Sequence, residues 1–85
     1  MTELDKLKRL LDELLIAWEP IGGLTIALTT KPLFVNNLQD GLSVVGWGYS
    51  GQFRYSAEYV ARMLDRKFRE EMRELHGKRR DEKTD

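Results

Sequence analysis

The run Leu24-Thr25-Ile26-Ala27-Leu28-Thr29-Thr30 alternates strictly, with Leu24, Ile26 and Leu28 on one side and Thr25, Ala27 and Thr29 on the other. Alternation with a period of two marks a half-buried strand, so a sheet sits in the middle of the chain. Toward the N-terminus, Gly22-Gly23 supplies a turn and Glu19-Pro20 a stop, because the residue before a proline avoids helical geometry. Ahead of that stop, Leu4, Leu7, Leu11, Leu14 and Trp18 recur at spacings of three and four, joined by Leu10 and Leu15. This pattern predicts one amphipathic helix running to Trp18. Thr2 is its expected N-cap, with Asp5 completing a variant of the capping box.

Toward the C-terminus, Lys31-Pro32 turns the chain and Leu33-Phe34-Val35 returns as a short second strand. Asn36 to Gly41 reads as a loop ending in the turn pair Asp40-Gly41. Leu42 to Tyr49 is expected as a third strand, with Val45, Trp47 and Tyr49 on one face and Val44, Gly46 and Gly48 on the other. Ser50-Gly51 then leads into a brief fourth strand, Gln52 to Tyr55. Ser56 caps a long helix expected over 57–76, whose buried stripe is Ala57, Val60, Ala61, Leu64, Phe68, Met72 and Leu75. Gly77 suits the position just past its end. Residues 78–85 contain no apolar side chain and read as a disordered charged tail. The expectation is one compact α+β domain over residues 1–77. It consists of a short antiparallel sheet of three to four strands flanked by N- and C-terminal amphipathic helices, in the order α-β-β-β-α.

At 85 residues there is room for one domain and one modest core. The sequence has no cysteine, which excludes disulfides and thiolate metal sites and suits a reducing, cytoplasmic setting. No stretch approaches the roughly 20 apolar residues that span a bilayer, and Met1-Thr2-Glu3-Leu4-Asp5 is acidic where a signal peptide is basic. Neither membrane association nor export is therefore expected. Lys and Arg total 14, as do Asp and Glu, so net charge favours no class of partner. The distribution is more informative, because residues 21–53 carry only Lys31 and Asp40.

Three features bear on function. The first is a row of Arg62, Arg66, Arg69, Arg73 and His76, spaced four, three, four and three apart, which shares one helix face away from the apolar stripe. Such a row suits an acidic protein surface or a phosphate backbone. It also suits a solvated face balanced by Asp65–Arg69, Arg66–Glu70 and Glu70–Arg73 pairs, or by Asp5, Asp12 and Glu19 on a neighbouring first helix. The second feature is the glycine–aromatic stretch from Gly46 to Tyr55, in which Trp47 and Tyr49 serve as packing or as stacking platforms. The third is the chargeless sheet, whose uncovered face would carry Thr25, Ala27, Thr29, Val44, Gly46 and Gly48. A second helix, a second copy of the chain or another protein would cover it.

Three resemblances stop short of an assignment. Gly46-Trp47-Gly48-Tyr49 loosely resembles the central-strand signature of RNA-recognition motifs, but Val45 replaces a basic residue, Ser50 and Gln52 break the remainder, and that family begins with a strand. Gly48-Tyr49-Ser50-Gly51 is similar in letters to the loop of KH domains and lacks the basic pair inside it. Residues 4–30 look like the opening of roadblock-type dimeric scaffolds, from which the glycine-rich strand beyond residue 36 departs.

No residue pattern supports catalysis. His76 is the single histidine, Ser50 and Ser56 fit a turn and a cap, and no phosphate loop or metal cluster appears. No cofactor is expected. The sequence thus reads as a non-enzymatic binding protein, an adaptor or an inhibitor of a larger assembly such as phages and mobile elements carry. Protein is the first expected partner, through Arg62, Arg66, Arg69 and Arg73, with Trp47 and Tyr49 second. Nucleic acid is the alternative. A homodimer is expected from Met72 and Leu75, on a helix that outreaches the sheet.

Overall fold

The computed structural model describes the backbone of residues 2–84 and the side chains of residues 2–75. The side chains of residues 76–85, His76 among them, lie outside that description. The backbone of the C-terminal helix nevertheless runs on to Thr84, past the expected stop at Gly77 and through residues 78–84 of the tail expected to be disordered. Helix α1 (Glu3–Glu13) opens as expected: Thr2 Oγ1 accepts from the Asp5 N–H at 3.1 Å, and Asp5 Oδ2 accepts from the Thr2 N–H at 3.3 Å.

The helix ends five residues before Trp18. Leu15 takes a left-handed φ of 61°, the Ile16 N–H donates to Leu11 O at 2.9 Å, and the Leu15 N–H donates to Asp12 O at 3.2 Å. This is a Schellman close with leucine where glycine is usual. The helical spacing of Leu14 and Trp18 concealed it, but a continuing helix would turn Ile16 onto the polar side. Stopping at Leu15 buries Ile16 in the core instead. Leu15 is 90% exposed, so its side chain gains no burial to offset the left-handed backbone. Leu15→Gly should therefore raise unfolding stability by about 1 kcal/mol, after the entropy glycine adds to the unfolded chain. Urea denaturation checks this, and a destabilised variant would refute it.

With the helix closed early, Trp18–Pro20 becomes strand β1, which the sequence did not suggest. It leads a meander of β2 (Thr25–Leu28), β3 (Leu33–Leu38), β4 (Gly41–Gly46) and β5 (Tyr49–Ser50), antiparallel throughout and ordered as in the chain. The sheet thus has five strands rather than three or four. β3 runs three residues past the expected Val35, into what reads as a loop. The expected strand Leu42–Tyr49 is broken in two by Trp47 and Gly48, whose φ values of 49° and 96° make the two-residue hairpin turn of type I′ that joins Gly46 to Tyr49. The expected fourth strand over 52–55 reduces to a single bridge between Leu42 and Tyr55.

The turn also corrects the faces. Ile26, Val35 and Val44 form one cross-strand row, and all are buried. Ala27, Phe34 and Val45 form the next row on the opposite side, where Phe34 and Val45 are 43% and 39% exposed. Val44 therefore belongs to the core, Val45 to the open face, and Tyr49 follows Leu33 and Gly46 to the helix side.

Both helices lie on that one side, α1 beside α2 (Ala57–Thr84), so the helix–sheet–helix sandwich does not form. Dimensions explain the choice. Five strands at about 4.8 Å spacing are about 19 Å wide, which is the width of two helices packed about 10 Å apart. The core between the layers joins Leu4, Leu7 and Leu11 of α1 to Val60, Ala61 and Leu64 of α2 over Ile26, Leu33, Val35, Leu42 and Val44. The fold is α+β, with the helices segregated to one face of an antiparallel sheet.

The helices are also joined at their starts. Ser56 Oγ accepts from the Tyr59 N–H at 3.2 Å as the expected cap of α2, and Glu3 Oε2 of α1 accepts from the Ala57 N–H at 2.8 Å. The Ala57 N–H holds the Glu3 carboxyl below its ordinary value of 4.5, and the hydrogen bond from the Thr2 backbone does the same for Asp5. A lowered native pKa contributes stability above the ordinary carboxylate range and loses it as pH falls through the lowered value. Thermal midpoints should therefore fall on acidification below about pH 4.5, and less steeply in Glu3→Gln. Equal slopes for the two proteins would remove Glu3 from the account.

Candidate functional site

Arg62, Arg66, Arg69 and Arg73 all stand exposed on the side of α2 turned away from Val60, Ala61 and Leu64. Of the acids that would have made the row internal, two are engaged elsewhere and the third lies in the sheet. Asp5 caps α1 and lies 3.9 Å from Lys8, Asp12 accepts from Trp18 Nε1 at 2.8 Å, and Glu19 sits exposed in β1. The helices are neighbours as expected, yet among the described residues no ion pair crosses from α1 to the arginines. Of the three pairs expected along α2, only Arg69–Asp65 forms, at 3.3 Å. Arg62, Arg66 and Arg73 have no carboxylate within ion-pair distance among the described residues.

Trp47 and Tyr49 do not join that row. From the tip of the β4–β5 hairpin, Trp47 lies against Phe68 with ring centroids 5.0 Å apart. The Lys67 ammonium stands 4.8 Å from the Trp47 ring and 4.6 Å from the Tyr49 ring, and it donates to the Trp47 carbonyl. Lys31, from the β2–β3 turn, lies 5.3 Å from the Trp47 ring centroid and pairs with Glu71. Two sheet turns thus grip the middle of α2 through Trp47. This packing explains why tryptophan tolerates a positive φ at a turn position that favours asparagine or glycine.

The structure adds an aromatic residue that sequence reasoning missed. Tyr59, 55% exposed, stacks on Tyr55 with ring planes 3° apart and centroids 5.0 Å apart. The two tyrosines flank the Ser56 cap, one on each side of it. That placement is the only sign of the stack in the sequence. Tyr59, Arg62, Met63 and Arg66 then border a groove of about 380 Å³ between α2 and the β5 edge, closed by Tyr49, Lys67 and Glu70. Burial, reinforced by Tyr55, Tyr59 and Glu70, pushes the Tyr49 phenol above its ordinary value, so it faces the groove as a neutral hydroxyl.

The open sheet face presents Phe34, Leu38 and Val45 around the small residues Thr25, Ala27 and Ser43. Thr25 donates to Asn36 Oδ1 at 2.8 Å, and Ser43 to Gly51 O at 3.2 Å, so its polar groups are partnered within the chain. On α2, Met72 and Leu75 are exposed in line with the buried stripe, as expected of the overhang. Among the described residues, no group of three His, Cys, Asp or Glu side chains is placed to hold a metal ion, and no helix is long and apolar enough to cross a membrane.

Comparison with protein-family models, with curated proteins and with solved structures finds no match for this chain.

Proposed function

We propose that this protein acts by binding, without catalysis, as an adaptor or inhibitor that docks an acidic protein surface on the arginine face of α2. The observation that carries this reading is the state of Arg62, Arg66 and Arg73, which share one exposed face with no internal carboxylate partner among the described residues. Guanidinium groups on a rigid helix bind planar carboxylates in two-pronged fashion and rank among the commonest interface anchors. The test is capture of partners by the wild type and by Arg66→Glu/Arg69→Glu. Partners lost from the variant support the arginine face, and an unchanged set removes it.

Nucleic acid is the second reading, favoured by the stacked Tyr55–Tyr59 pair beside Arg62 and Arg66, since tyrosine platforms next to cations hold unpaired bases. Its mark is a steep loss of affinity as salt rises. No binding of DNA or RNA at low salt would end it.

Self-association belongs to the proposal as well. An uncharged face is complementary to its own copy, and Phe34, Leu38 and Val45 give it an apolar centre. A monomer in sedimentation at high micromolar concentration would refute the dimer.

A further inference from the structure

The groove between α2 and the β5 edge is built differently from the arginine row it adjoins. Tyr55 covers one face of the Tyr59 ring, and Tyr59 alone of the two borders the groove. A pre-stacked aromatic therefore forms part of the groove's border. Met63, half-buried, offers an adaptable apolar surface next to it. Lys67 is anchored by the Trp47 carbonyl and by two aromatic rings, so its charge stays fixed while Arg62 and Arg66 reach in from the outer side. Glu70 is the one acid at the border.

We infer that this groove receives an aromatic side chain flanked by carboxylates, the anchor of an acidic peptide segment. The inference rests on the proposed function and names the partner chemistry at that site. An aromatic ring fills the space between Tyr59 and Met63, while carboxylates on either side meet Arg62, Arg66 and Lys67. Peptide is favoured over nucleic acid by the pattern of charge. A phosphate backbone presents negative charge at every step, and along this face it would meet Asp65 and Glu70 among the arginines. A peptide sets its carboxylates opposite the cations and its neutral residues opposite the acids. The balance of 14 positive and 14 negative residues leaves no general attraction for a polyanion.

Fluorescence anisotropy on the full chain tests this with three probes: a short Asp/Glu peptide with a central phenylalanine, the same peptide with alanine there, and oligo-dT. The phenylalanine peptide should bind about tenfold more tightly than the alanine peptide, as expected for one well-seated aromatic. Tyr59→Ala should erase that difference and leave the alanine peptide's affinity unchanged. The exposed position of Tyr59 keeps this variant folded, which circular dichroism checks. If the two peptides bind equally and both respond to Arg66→Gln, the groove inference fails while the arginine face stands. If oligo-dT binds more tightly than either peptide, the ligand class is wrong. If no probe binds at low salt, the groove and the arginine face fall together.

Discussion

Gly46→Ala should cost about 3–5 kcal/mol, the largest loss expected from any single methyl group added to this chain. Two effects add at this position. Its φ of 96° lies where a side chain costs about 1–2 kcal/mol. A Cβ there would also fall 3.2 Å from the Leu33 Cα and far inside van der Waals contact with the Pro32 carbonyl oxygen. Backbone atoms cannot swing aside as a side-chain tip does. Relief requires separating the Leu33–Gly46 pair, and with it the burial of Leu33 and the seat of the Trp47 turn on α2. A domain of this length has roughly 4–13 kcal/mol in total, so the variant should unfold at much lower urea or not fold at all. Gly23→Ala is the matched control. Its φ is ordinary and nothing lies within 4 Å of its added Cβ, so the expected change is neutral or a gain of up to about 1 kcal/mol. Equal stability for the two variants would contradict the turn geometry described for residues 46–49.

Where local preference and tertiary packing agree, the elements could be read in advance. Thr2 and Ser56 cap the helices they were expected to cap, Ile26 and Leu28 point into the core, and Val60, Ala61 and Leu64 line the buried stripe. The misreadings occur where packing overrides preference. Leu15 and Trp47 occupy left-handed positions that local chemistry reserves for glycine or asparagine. Leu15 is held there by the gain from burying Ile16, and Trp47 by Phe68, Lys67 and Lys31. Neither gain is visible until the fold brings distant residues together. The unexpected turn at Trp47-Gly48 breaks the period-of-two alternation that tied Tyr49 to Val45, so Val44 takes the core position instead of Val45 while Tyr49 keeps its place on the helix side.

The same contrast applies to the candidate site. Arg62, Arg66, Arg69 and Arg73 follow from helical spacing alone, so their common face needed no tertiary information. Whether Asp5, Asp12 and Glu19 would neutralise them depended on the end of α1. Once that helix closes at Leu15, Glu19 moves into β1 and Asp12 serves Trp18. Tyr59 gains its role only from stacking on Tyr55 across the cap, a contact between a bridge residue and a helix that no periodicity reports.

For the arginine face, reversing Arg66 and Arg69 together should weaken an acidic partner on the order of 100-fold or more, about 2.7 kcal/mol or above, since central interface arginines each contribute about 1–2 kcal/mol or more. Stability should fall by no more than about 1 kcal/mol, from the lost Asp65–Arg69 pair and the like charges set beside Asp65 and Glu70, because both side chains are exposed and the core is untouched. A loss of binding alone would still fit a subtly disturbed fold, so a variant that gains affinity is the sharper probe. Asp65 lies on the same face of α2 and holds Arg69 at 3.3 Å. Asp65→Asn removes a negative charge that repels an acidic partner and releases a guanidinium to bind it. Affinity should rise about three- to fivefold at low salt, the scale of one exposed charge interaction, with the gain shrinking as salt rises. The helix would lose at most about 0.5 kcal/mol with its i,i+4 pair. A partner that binds Asp65→Asn more weakly than wild type would show that its contacts are to the acids of this face, and the arginines would then be bystanders.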